Sequence, residues 1–196
     1  MTQFMAHRGF DLARAPVAVR VLLTTFLAMA SLSVAVGAVN YQLRTGLSAR
    51  GSEAWYRRGL STAERAERPA GTAGPEADEA ETGASATLYA KTPLELMDAT
   101  HPHLFNEAFL FFVLGHILAL CAVRSGLKVG VYLAGFTGVL ADTASPWLIR
   151  FVSPAFAWAQ LAGQLLMAVA FVALVVLPLR EMWGGRAHAA GSRAEA

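Results

Sequence analysis

Cysteine is nearly absent. The 196-residue chain holds one, Cys121, which excludes an internal disulfide, a C-x-x-C-H attachment for covalent haem and a cysteine set for an iron–sulfur cluster. Charge is scarce as well: 15% of residues are charged, against about a quarter in an ordinary soluble domain. H-E-x-x-H, G-x-S-x-G and a phosphate-cradling glycine loop are all missing, and Ser145 and Ser153 have no base beside them. No recognisable activated nucleophile is therefore present, and a non-catalytic role is expected. A net charge of +2 with a pI near 9.0 does not make a nucleic-acid binder, because the arginines sit at the ends of apolar runs rather than in one basic stripe.

Apolar residues are abundant, at 55% of the chain, and they are gathered into runs. Four runs suffice to cross a bilayer, which needs about 20 mostly apolar residues: 16–39, 102–123, 129–149 and 155–179. The third is interrupted by Asp142 and Pro146, and the fourth is the most uniformly apolar. A chain in lipid must satisfy its backbone internally, which a helix does. The expected fold is all-α: an integral membrane four-helix up-and-down bundle. The first run is longer than a signal-peptide core and is read as a retained span, although "AVGAVN" offers small residues near its end.

Between the first and second spans lies a long external loop, 40–101. Its stretch 61–87 is rich in Ala, Glu, Gly, Pro and Thr and lacks aromatics. Such a composition cannot bury enough apolar surface to offset ordering entropy, so disorder is expected there. The flanks carry Trp55, Tyr56, Leu94 and Met97 and read as short helices on the membrane surface. Residues 184–196 read as a disordered cytoplasmic tail and 1–15 as a cytoplasmic N-terminus. Orientation follows from basic residues in short flanking regions. Arg8, Arg14 and Arg20 precede the first span, Arg124 and Lys128 fill the turn after the second, and Arg180, Arg186 and Arg193 follow the fourth. Both termini are thus expected in the cytoplasm of a bacterial cell, in its inner membrane, with the long loop outside.

Ionisable groups in membrane segments are costly and usually functional. Thr100 reads as an N-cap with Pro102 in the first turn of the second helix. His103 and Glu107 then share a helical face, four residues apart. His101 precedes them, Asp98 lies before the cap, and the returning third helix brings Asp142 and Arg150 to the same side. Asp98, His101, His103, Glu107 and Asp142 together make a candidate site for a transition-metal ion, since imidazole and carboxylate suit such metals. His116 is separate, 13 residues past His103 and about 19.5 Å deeper along the helix. Beside Gly115 and among Phe105, Phe109 and Phe112, it is a candidate axial ligand of a b-type haem. Its second ligand would come from another copy or subunit, because the other three spans hold no histidine.

Each of these residues also has a structural reading. His103 and Glu107 can be helix-start groups bonded to water and to Asp142, His116 can bond a neighbouring carbonyl or hydroxyl such as that of Thr137, and Asp142 can pair with Arg150 or a histidine. Gln160 and Gln164 read as interhelical glue, and Gly130, Ala134 and Gly138 as a packing stripe. Two functions stay open: a non-catalytic subunit or accessory of a membrane redox complex holding a metal ion or haem b, or a membrane scaffold whose polar residues serve helix packing. The partners are the lipid bilayer and either other membrane subunits or further copies of the chain. A zinc-dependent hydrolase ranks behind both.

The segments "KTPLELMDATHPHLFNEAFLFFVLGH", "DTASPWLIRFVSPAFAWAQLAGQLL" and "PLREMW" resemble uncharacterised small four-helix bacterial inner-membrane proteins. The resemblance covers the helical part of the chain after about Lys91. It implies a small polytopic inner-membrane protein and brings no established activity or site residue with it.

Overall fold

Each apolar run winds into an α-helix, the conformation that pairs interior backbone groups within one segment. The computed structural model describes residues 12–58 and 91–191, with 185–191 described by backbone alone. Among the described residues the chain is all-helical and has no strand. A short 3₁₀ turn, Leu12–Arg14, precedes α1 (Val17–Thr45). α2 (Ala49–Glu53) follows and widens into a π-helical turn, Ala54–Arg58. α3 (Pro93–Ala119), α4 (Ser125–Phe151) and α5 (Phe156–Gly191) complete the chain. α1, α3 and the Phe156–Gly184 part of α5 are long and apolar enough to cross a membrane. α4, at 27 residues, is long enough, but Gly130, Gly135, Gly138, Asp142 and the Ser145–Pro146 pair dilute its apolar character.

The largest departures from the sequence reading are at two boundaries. α3 begins at Pro93, well before the expected cap at Thr100. Thr92 Oγ1 accepts from the Glu95 N–H at 3.2 Å, and Glu95 Oε2 accepts from the Thr92 N–H at 2.6 Å. This reciprocal capping box, with Pro93 in the first helical position, starts the helix. Pro102 therefore lies inside α3, where it has no N–H for the Asp98 carbonyl. At the other end of the chain, α5 continues to Gly191, through much of the expected tail. The stretch 61–87, expected to be disordered, lies outside the described residues.

The chain divides into two compact units, and each long helix contributes to both. The first comprises Met1–Val34, Asn106–Thr137 and Leu166–Ala196. Its core holds Leu27, Leu114, Leu118, Leu174 and Met182, all essentially inaccessible. The Phe111 ring sits on Gly135, where a Cβ would come within 2.5 Å of it. Tyr132 donates its hydroxyl to the Gly115 carbonyl at 3.0 Å. The turn between α3 and α4 is closed by charge: Lys128 Nζ donates to the carbonyls of Ala119 at 2.9 Å and Cys121 at 2.6 Å, capping the end of α3. Both carboxylate oxygens of Glu181 accept from the Ala122 N–H, at 2.9 and 2.8 Å.

Arg20 is not a surface flank of the first span. It is 3% exposed, with Nε donating to the Ala15 carbonyl at 2.9 Å, Nη1 to the Met182 carbonyl at 3.1 Å and Nη2 to the Ala13 carbonyl. The guanidinium also stands 5.9 Å from the Trp183 ring centre, so Arg20 ties the start of α1 to α5.

The second unit comprises Ala35–Phe105 and Gly138–Leu165. Here α4 and α5 cross closely: a Cβ on Gly163 would lie 2.7 Å from that of Ala141 and 3.1 Å from the Gly138 carbonyl oxygen. Gly130, expected in the packing stripe, meets nothing within 4 Å; Gly135 and Gly138 make the close approaches instead. α1 ends in two left-handed residues, Gly46 (φ 62°) and Leu47 (φ 49°), and Ser48 caps α2 by accepting from the Gly51 N–H at 3.0 Å. This corner folds α2 back on α1 so tightly that a Cβ at Gly51 would lie 1.7 Å from the Thr45 oxygen.

Candidate functional site: a polar cavity in the second unit

The corner after α1 turns Trp55 and Tyr56 toward helices that carry the polar residues of the apolar runs. Between them lies a cavity of about 440 Å³, in the size range of roughly 300–1,000 Å³ of small-ligand sites. Its wall holds Arg44 from α1, Trp55 and Tyr56 from the π-helical turn, Lys91 beside α3, Asp142 from α4 and Gln160 from α5.

Polar side chains here pair across elements. Gln164 Nε2 donates to Asp142 Oδ1 at 2.9 Å, Gln160 Nε2 to Tyr56 Oη at 3.3 Å, and Trp147 Nε1 to Thr100 Oγ1 at 2.8 Å. The Tyr41 and Ser52 hydroxyls are 2.6 Å apart, and Arg150 Nε donates to the Lys91 carbonyl at 3.0 Å. Arg44 and Lys91 both stand 5.3 Å from the Trp55 ring centre, so two cations flank one indole. Lys91 also pairs with Glu95 at 3.6 Å. Burial pushes the Tyr56 phenol up to about 12; the Asp142 carboxylate adds to the rise, and the Gln160 hydrogen bond opposes it. Tyr56 is thus a neutral hydroxyl at any physiological pH.

Of the residues singled out from sequence, Asp98, His103 and Asp142 line this cavity. His101 lies exposed on α3 and is not part of the lining. Glu107, half-buried, belongs to the first unit. Among the described residues, no three His, Cys, Asp or Glu side chains stand close enough to hold one metal ion, so these five are not gathered into the expected ligand set. Asp142 accepts from Gln164, a partner the sequence reading did not assign to it. His116 is exposed, and its Nδ1 is 2.8 Å from the Phe112 carbonyl, a carbonyl partner of the kind the sequence reading allowed, though Phe112 rather than Thr137. The Phe112 ring packs edge-on at 4.2 Å between ring centres.

Sequence reasoning missed Arg44 and Lys91 and placed Trp55 and Tyr56 only on a membrane-surface helix. The available signal was "TGLSARG", in which a glycine, a capping serine and a second glycine spell a tight corner. That corner brings the residues after it back to α1.

A family model described as a transmembrane helical domain matches residues 79–189, more than half of the chain. No curated protein and no solved structure matches it. The match takes in α3, α4 and almost all of α5, the helices that build most of the polar wall. The chain is a multi-pass membrane protein and belongs to this family of transmembrane helical domains.

Proposed function

We propose that the chain is a four-helix up-and-down bundle of a bacterial inner membrane, with both termini cytoplasmic, and that it acts as a non-catalytic binding or scaffold component. α4 is the fourth span: 27 residues give about 40 Å of helix, more than a bilayer core requires. Arg14, Arg124, Lys128 and Arg180 flank the spans on one side and favour the cytoplasm. The observation that carries the non-catalytic reading is the pairing of Gln164 with Asp142, Gln160 with Tyr56 and Trp147 with Thr100. Polar groups in the helices are spent on joining elements, as packing requires in lipid.

A second reading, a subunit of a membrane redox complex holding haem b, is favoured by one detail. With its Nδ1 hydrogen-bonded to Phe112 O, His116 keeps Nε2 for a ligand, the arrangement second-shell bonds impose on metal-binding histidines. A further copy of the chain or another membrane subunit would supply the second axial group.

Two measurements test these readings. A reporter active only outside the cytoplasm should give signal when fused near Ala73 and none after Ala196; the reverse would overturn the topology. Protein purified in mild detergent should be colourless, with near-zero metal in both wild type and His103→Gln. A red preparation with a reduced b-type band, bleached by His116→Ala, would replace the scaffold reading with the haem reading.

A further inference from the structure

Gln160 is 1% exposed, yet only half of its amide is used. Nε2 donates to Tyr56, while Oε1 has no hydrogen-bond partner among the described residues. Gln160 lines the cavity, and a buried carbonyl oxygen without a partner calls for an N–H or O–H donor. Asp142, on the same wall, adds negative charge. Lys91 and Arg44 supply the opposite character. Among the described residues the one side-chain hydrogen bond of Arg44 is from Nε to Asn40 Oδ1 at 3.1 Å, which leaves the guanidinium fork with donors for an anion beside the Trp55 ring.

The lining therefore suits neither a plain anion, which would meet Asp142 and Asp98, nor a plain cation, which would meet Arg44 and Lys91. It suits a small zwitterion whose anionic end is rich in acceptors and whose cationic end carries N–H donors. The bilayer is the natural source. Gly37, in the outward-facing stretch of α1, lines the same cavity and has open space where a side chain would be. Asp142 lies about 12 Å of helix rise from Arg150 at the end of α4, a depth that a headgroup entering from the membrane reaches.

We infer that this cavity binds the primary-amine-and-phosphate zwitterion carried by ethanolamine phospholipids. The phosphate oxygens accept from Arg44 and Lys91, and the ammonium donates to Gln160 Oε1 and Asp142. The inference deepens the binding-component reading and rests on membrane insertion alone; a reversed topology leaves it standing, because such headgroups face both sides of a bilayer.

The test is native mass spectrometry of the full-length protein in detergent, titrated separately with short-chain phosphatidylethanolamine, short-chain phosphatidylcholine and soluble glycerophosphoethanolamine. One ethanolamine lipid should be retained about tenfold more tightly than the choline lipid, whose trimethylammonium has no N–H; one hydrogen bond to a charged group is worth about that factor. Gln160→Leu should reduce the preference, with Asp142 left as the remaining acceptor, and Arg44→Gln should weaken ethanolamine-lipid binding several-fold even if the Gln160 variant does not fold. Equal affinity of the two lipids, or an unchanged preference in a folded Gln160→Leu protein, would overturn the inference, as would unchanged binding in Arg44→Gln. Soluble glycerophosphoethanolamine competing as well as the lipid would assign recognition to the headgroup chemistry alone. Competition by the lipid only would make the bilayer the source.

Discussion

The amide of Gln164 donates to Asp142 Oδ1 across 2.9 Å, and so joins α5 to α4 through one charge-assisted hydrogen bond within the second unit. Removing the donor should cost about 1 kcal/mol, between the average for interhelical bonds in membranes and the larger value for bonds to charged groups. A double-mutant cycle of Gln164→Leu and Asp142→Leu, read by thermal unfolding in detergent, should show a coupling of at least about 0.5 kcal/mol. Strict additivity would show that the two side chains do not act together.

Arg20 serves three carbonyls at once. Arg20→Ala should destabilise the protein by about 3 kcal/mol, because three carbonyls and the ring face of Trp183 lose their partner together. Arg20→Lys should recover less than half of that, since an ammonium cannot reproduce the fork of a guanidinium. Full recovery by lysine would mean that charge alone matters. Thermal midpoints of the two variants, measured side by side, decide.

Two glycines should respond in opposite directions. A Cβ at Gly51 would overlap the Thr45 oxygen, so Gly51→Ala must displace the α2 corner, at about 1–3 kcal/mol. Gly130 lies in the interior of α4 with open space around it, and Gly130→Ala should stabilise by about 0.5–1 kcal/mol through helix propensity. A neutral Gly51→Ala would contradict the close approach of α2 to α1.

Tyr56 should impose an alkaline limit. Its folded-state pKa, about 12, is raised above the ordinary phenol value of 10.0, so the folded protein holds the phenolic proton more tightly than the unfolded chain does. The contribution is fully present below pH 10 and is lost as pH rises toward 12, at up to about 1.4 kcal/mol per pH unit. Subtracting the stability profile of Tyr56→Phe from that of wild type isolates this group from other alkaline titrations. A flat difference between pH 9 and 11.5 would show that the phenol is not buried.

Three of the helical spans were legible because length and hydropathy alone mark a segment that must close its own backbone bonds. The start of α3 was not, because two signals compete within ten residues. Thr100 precedes Pro102, but His103, three positions on, is not the Glu or Gln that a capping box requires. Thr92 precedes Pro93, and Glu95 returns one. Reciprocity, rather than the threonine–proline pair, marks the true start, and Thr100 is left to receive Trp147. Topology alone put Asp98, His101, His103, Glu107 and Asp142 in one expected cluster, of which Asp98, His103 and Asp142 line the cavity. Arg44, Lys91 and Trp55 could not be placed there, because their positions depend on two consecutive left-handed residues, Gly46 and Leu47, and Leu47 is not a type that announces such a conformation.

The contact between Arg20 and Met182 spans 162 positions of sequence, and this gives the protein a timetable. At about 5–20 residues per second, roughly 8–30 s of synthesis separate the two partners. Throughout that interval the arginine near the start of α1 waits for its carbonyl on α5, and a ribosome that stops short of residue 182 delivers a chain whose clasp never closes. Until then the fork holds only its local carbonyls, those of Ala13 and Ala15, and the start of α1 is tied to α5 only once Met182 has been made.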